Sequence, residues 1–161
     1  MKVSKKFNAL VLHRVIDGNP LDFIDIKLTT LRYILCKQNY NFVSIDQAIE
    51  QAIDEDMMTK IPICLTFDDG FSSDHDLVLT ELKKINATAT FFIVTDWLGT
   101  PGYMTQEQVR NLSDAGMQIG SHSKSHPNFL MLTPNETLVE LRESKVILEN
   151  IIGKKITAFS F

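Results

Sequence analysis

IPICLTFDDG, residues 61–70, decides how this chain is read. Seven residues of continuous apolar character, Ile61 to Phe67, suit a strand covered on both faces rather than an alternating half-exposed one. The run then breaks directly into Asp68-Asp69-Gly70. Working outward, Leu28, Leu31, Ile34 and Leu35 recur at helical spacing over 28–37. Phe42-Val43 is a short extended piece. Ser44 is placed to cap a helix over 45–53, with Gln47 in capping-box position. Downstream, Leu77, Leu79, Leu82 and Ile85 predict a helix over 76–85, and residues 89–94 another buried strand. Thr105 with Gln108 starts a further helix, which Gly116 closes as a left-handed cap. Residues 117–120 form a strand. Thr133, Pro134 and Glu136 start a last helix, running to about 151 and ending near Gly153. Two strands complete the pattern, one at 7–13 and one beginning at 156–161. Strands separated by single helices make a parallel sheet. Open doubly wound sheets and (β/α) barrels both fit, and both place their sites at the carboxyl ends of the strands.

The 161 residues suit one domain, 1–161, and carry 20 acidic against 16 basic side chains for a net charge of −4. Basic residues cluster only as the pairs Lys5-Lys6, Lys83-Lys84 and Lys154-Lys155, which argues against a nucleic-acid footprint. No stretch of about 18 apolar residues predicts a membrane span. The apolar run 9–12 is too short for a signal-peptide core and is followed by His13 and Arg14, so the expected address is cytoplasmic. Cys36 and Cys64 read as two reduced core thiols.

Two strand ends carry the chemistry. One leads into Asp68-Asp69, the other into Ser121-His122-Ser123-Lys124-Ser125-His126-Pro127. A spacing of four between the histidines fits a helix face, but Gly120, the serines and Pro127 favour a loop. Adjacent carboxylates on an extended backbone diverge, so one can bind a cation while the other faces a different target. Two histidines and a carboxylate are a common ligand set for a catalytic divalent metal. The competing reading of Asp-Asp-Gly is a turn with solvated acids. His75, between Asp74 and Asp76, reads as a solvated or capping residue. His13 stands at the same sheet edge as the acids, either lining a substrate cleft or packing in the core. Trp97 and Tyr103 follow strand 89–94. Their rings suit a sugar face, or the tryptophan anchors its own loop.

Thr66-Phe67-Asp68-Asp69-Gly70-Phe71 resembles the first signature of the polysaccharide deacetylases, the NodB-homology family of carbohydrate esterases. Residues 121–127 resemble the second signature, His-Ser/Thr-x-x-His, and Ala89-Thr90-Phe91-Phe92 the strand between them. The resemblance implies a distorted (β/α) barrel. It implies Asp68 as catalytic base and Asp69, His122 and His126 as ligands of one divalent metal, most often zinc, with cobalt or nickel substituting. His13 and Trp97 are the candidate substrate-binding residues. The implied activity is hydrolysis of acetyl groups from N-acetylated sugars by a metal-bound water, giving acetate and an amine, with an N-acetylated glycan as partner. The family's third signature, Arg-x-Pro-Tyr, would begin at Phe159-Ser160-Phe161, with Ser160 in the place of the arginine. An incomplete barrel is therefore expected, and an open edge at 156–161 favours a homo-oligomer. The alternative is an inactive metal- and glycan-binding remnant, or a subunit that needs a partner to complete the site.

Overall fold

A computed structural model describes residues 8–53 and 61–161. Phe7 and the Lys5-Lys6 pair lie outside the described residues. The chain runs β1 (Asn8–Leu12), β2 (Arg14–Ile16), β3 (Asp25–Lys27), α1 (Leu28–Leu35), β4 (Tyr40–Val43), α2 (Ile45–Ile53) and β5 (Ile61–Phe67). A π-helical turn, Asp74–Val78, leads into α3 (Leu79–Lys84). β6 (Thr90–Ile93), α4 (Gln106–Asp114), β7 (Gln118–Ser121) and α5 (Pro134–Ile152) follow.

The sheet is parallel throughout, as single-helix crossovers require. β5 lies at its centre. β1 pairs along one edge, Asn8 with Ile63 through Leu12 with Phe67. The other edge is shared: β4 pairs with the start of β5 and β6 with its end, Thr66 to Thr90 and Phe67 to Phe91. β7 extends the sheet beyond β6, and residue Phe159 bridges in parallel to Ser121. The result is an α/β fold with an unclosed barrel sheet among the described residues.

The reading of β5 holds for a physical reason. Leu65 and Phe67 face the main core, where Phe67 stacks on Phe91 with centroids 5.1 Å apart. Cys64 faces a smaller cluster with Val43 and Ala48, so both sides of the strand are covered. The predicted caps also form. Thr105 and Thr133 each make a full capping box, and Gly153 ends α5 in the left-handed conformation. Ser44 and Gln47 exchange hydrogen bonds at the start of α2.

Several expectations need correction. The strand at 7–13 is not a buried run, because β1 lies at the sheet margin and Val11 is 54% exposed. Residues 156–161 make one bridge rather than a strand, held by Ser121 N–H to Ala158 O and Ser160 N–H to Ser121 O. The helix expected at 76–85 begins two residues earlier as the π turn, which draws Asp74 into the interior. Cys36 caps α1 and is exposed, whereas Cys64 is buried and its thiol is pushed up to about 11 by desolvation. The parallel β2–β3 pair was not anticipated, since three-residue strands carry too little periodicity to see. Its register is fixed by Arg14 Nε donating to Asp25 Oδ1 at 2.6 Å across directly paired residues.

No helix of the described residues is long and apolar enough to cross a membrane.

Candidate metal centre

The carboxyl ends of β5, β6 and β7 converge, and their following loops build the site. As β5 ends, Asp68 N–H donates to Leu12 O at 2.9 Å, which keeps the strand's course one residue further. Asp69 then turns into the left-handed region, with φ 74, followed by Gly70 at φ 81. The two acids thus diverge through a turn and not along extended backbone. Aspartate tolerates this conformation better than most residues, and glycine needs no tolerance. Both readings of Asp-Asp-Gly therefore meet: it is a turn, but its acids are buried, Asp68 at 6% and Asp69 at 9% exposure.

β7 delivers His122, which is 3% exposed and whose backbone N–H donates to Ile93 O. The path of β7 requires Gly120, because a Cβ there would stand 2.5 Å from the Phe92 ring. After His122 the chain coils as a loop, with left-handed Ser123 (φ 67) and His126 (φ 59). Ser123 Oγ accepts from His126 N–H at 2.9 Å. Glu140 on α5 takes the N–H groups of Lys124 and Ser125, each at 2.8 Å, and the Ser125 hydroxyl at 2.7 Å. Sequence reasoning missed Glu140. A glutamate in mid-helix looks like any solvated one until the loop lies against it.

These loops bring three donors together. Asp69 Oδ1 lies 3.6 Å from His122 Nε2 and 3.7 Å from His126 Nε2, and the two Nε2 atoms are 3.1 Å apart. The point equidistant from the three lies about 2 Å from each, the length of a zinc–nitrogen or zinc–carboxylate bond. His122 Nδ1 meets the Ser160 carbonyl at 3.0 Å. A carbonyl only accepts, so the proton sits on Nδ1 and the Nε2 lone pair faces the shared point, the tautomer a metal ligand needs. Sequence gave no warning of this partner, since a main-chain carbonyl leaves no residue-type signal. The donor set and spacing fit a divalent cation.

Asp68 stands beside this cluster. Burial holds its carboxyl above the ordinary range, against the opposing pull of His122 and His13, with Asp69 adding to the rise. Among the described residues its Oδ1 has no hydrogen-bond partner, while Oδ2 is 3.5 Å from the Ser160 hydroxyl. His13 is half-buried and close enough to act on Asp68 by charge. Trp97 stacks on His126 with ring centroids 5.3 Å apart and also meets Tyr103 at 5.0 Å. His75 lies elsewhere, its Nδ1 on Asp76 at 2.9 Å. One carboxyl was missed entirely. Asp74 is fully buried with both oxygens unpartnered among the described residues, and desolvation, reinforced by Asp69 and Asp68, holds its carboxyl well above the usual range.

Residues 55–161 match the family model described as polysaccharide deacetylase. The chain is 24% identical over 156 residues to the Bacillus subtilis protein YxkH, covering 97% of this chain and 56% of YxkH. It is 34% identical over 96 residues to the peptidoglycan-N-acetylmuramic acid deacetylase PdaC of Bacillus subtilis, which is 59% of this chain and 20% of PdaC. The chain thus spans little more than half of one relative and a fifth of the other. In three dimensions it resembles the Streptococcus pyogenes deacetylase PplD, solved in complex with acetate, with a TM-score of 0.85 at 22% identity, over 95% of this chain and 72% of that one. It also resembles BC0361, a polysaccharide deacetylase from Bacillus cereus, with a TM-score of 0.81 at 22% identity, over 95% of this chain and 49% of that one. At such identities these two likenesses establish the fold.

Proposed function

Because the chain belongs to the polysaccharide deacetylase family, we propose that it removes acetyl groups from N-acetylated amino sugars of a glycan, with Asp69, His122 and His126 holding one divalent metal, zinc foremost, and Asp68 serving as base. The observation that carries this reading is the convergence of one carboxylate oxygen and two imidazole nitrogens around a point about 2 Å from each. A divalent ion held there would supply Lewis acidity, acidifying water and polarising an acyl carbonyl.

The chain's own residues do the rest. Asp68 offers a carboxylate oxygen that no described residue partners, and burial strengthens its hold on a proton. A carboxylate so tuned accepts the proton of an attacking water more readily than an exposed one. That proton must reach the amine nitrogen as the C–N bond breaks, which returns Asp68 to its ionised form. The Ser160 carbonyl keeps the His122 lone pair directed inward through the cycle. We take His13, within charge range of Asp68, and Trp97, stacked on His126, as the side chains that meet the sugar. The names of PdaC and of a Bacillus cereus relative, a peptidoglycan-N-acetylglucosamine deacetylase, support an N-acetylated glycan as substrate class.

The test is acetate release. Protein loaded with zinc or cobalt should liberate acetate from N-acetylglucosamine oligomers or from peptidoglycan fragments, and chelation should stop it. Metal binding without acetate from any of these glycans overturns the catalytic reading. Glycan binding without turnover in that experiment identifies a binding protein instead.

A further inference from the structure

The two imidazoles of the centre are held very differently, and the difference singles out Trp97. His122 is buried and pinned at Nδ1 by a main-chain carbonyl. The His126 side chain is 43% exposed, and among the described residues its ring makes no hydrogen bond except the approach to His122. Its backbone sits at φ 59, where few non-glycine residues rest without support. Besides the His122 ring, edge-on at 4.6 Å, what bears on its ring is the Trp97 indole, stacked face to face at 5.3 Å and 27°.

We propose that Trp97 is a positioning residue for the metal centre: its indole face sets the orientation of His126, the ligand that the remainder of the site leaves loose. This rests on the metal-centre reading above. The connection is built into the fold from both sides. Asp96 N–H donates to Lys124 O at 2.9 Å and Thr95 N–H to Ser123 O at 3.4 Å, so the turn carrying Trp97 is joined to the loop carrying His126. Trp97 also meets Tyr103, and Tyr103 stacks on Phe71 at 5.0 Å and 19°, two residues past Asp69. A line of rings, Phe71, Tyr103, Trp97 and His126, therefore spans from the carboxylate loop to the imidazole loop and fixes their separation. An outer support that orients a ligand imidazole ordinarily does so by hydrogen bonding. Here a stacked aromatic face takes that part.

The experiment compares zinc affinity of the intact chain with that of Trp97→Ala, Trp97→Phe and Trp97→Leu, by competition with a chromophoric chelator. Trp97→Ala should weaken zinc binding by about tenfold, the size of a lost outer-shell partner. Trp97→Phe, which keeps a flat ring, should recover most of that affinity. Trp97→Leu, which keeps bulk without a face, should not. Trp97 is the sole tryptophan of the chain, so Co2+ binding should also quench wild-type indole emission, and His126→Ala should abolish the quench at the same cobalt concentration. Should the alanine variant fail to fold by circular dichroism, the leucine and phenylalanine variants decide. A leucine variant that binds zinc as tightly as wild type overturns the proposal, as does an alanine variant that does so. Wild-type protein that binds no zinc at all sinks the metal centre itself, a different and recognisable failure.

Discussion

The two ends of the same parallel strands treat their polar groups in opposite ways. At the amino ends, hydroxyls and amides satisfy one another. Thr90 Oγ1 accepts from Ile45 N–H at 2.9 Å and donates to Gln118 Oε1 at 2.8 Å. Gln118 Oε1 also takes Asp46 N–H, its Nε2 reaches Thr157, and the Thr157 hydroxyl donates to Asp46. Thr88, Gln47 and Ser44 form a second knot beside it. At the carboxyl ends, by contrast, Asp68 Oδ1, Ser73 Oγ, both Asp74 oxygens and Thr95 Oγ1 are buried without partners among the described residues. Leaving such groups unmet costs about 1–3 kcal/mol each in ordinary packing. One end of the sheet thus stabilises the fold. The other leaves buried polar atoms unmet at the strand ends that carry the candidate metal centre, and the two should respond oppositely to substitution.

The sharpest division comes from Asp68→Asn. Acetate release should fall by about 10²–10⁴-fold, the range for a lost general base, while zinc affinity stays near that of wild type. A matching loss of zinc affinity would assign Asp68 to the ligand set and blur the division of roles between the neighbouring acids. Next in size, Thr90→Val strips the acceptor from the start of α2 and should lower unfolding free energy by about 2 kcal/mol in urea. Zinc affinity and activity per folded molecule should not move. A drop in either would show that the two ends are coupled.

Asp74→Asn should do the reverse of Thr90→Val and stabilise the protein by about 1 kcal/mol at pH 7. The sign follows from the raised carboxyl: the folded chain holds the Asp74 proton more tightly than the unfolded chain. Wild-type stability is therefore lost as pH climbs from about 4 toward the folded-state value, and the asparagine variant escapes that loss. Melting curves at pH 4 and pH 7 should show the gain only at the higher pH. A gain of equal size at both would remove ionisation from the explanation. The smallest effect belongs to Glu81, away from both ends. Arg32 and Lys84 hold its carboxyl down at about 2, so its contribution is present above the ordinary glutamate range and fades as pH falls toward 2. Arg32 and Lys84 are half-exposed, which limits the cost of Glu81→Gln in urea unfolding to under about 1 kcal/mol.

What could be read from the residues and what could not divide along a physical line. Buried strands, caps and the two acidic and histidine-bearing loops write themselves in local pattern, because each depends on neighbours within a few positions. β5, the boxes at Thr105 and Thr133, and the loop character of the chain after Ser121 were legible for that reason. The supports of the site were not. Glu140 reaches the histidine loop across 15–16 residues of sequence, and Ser160 meets His122 across 38. Such contacts exist only once the sheet has brought distant segments together. The π turn that buries Asp74 escaped as well, since Asp74-His75-Asp76 reads as a solvated, polar helix start. The left-handed turn at Asp69 was half visible: the Asp-Gly pair announced a turn, but not that its acids would be enclosed.

Gly120 carries a consequence for anyone surveying the chain by saturation mutagenesis. With the Phe92 ring 2.5 Å from where a methyl would begin, and the His122 ring 6.5 Å from that of Phe92, a replacement there should displace the histidine loop and weaken metal binding much as losing a ligand would. Position 120 holds no reactive atom. A map of intolerant positions would nonetheless colour it like the histidine two residues on, so sensitivity to replacement and participation in chemistry need separate assays to be told apart.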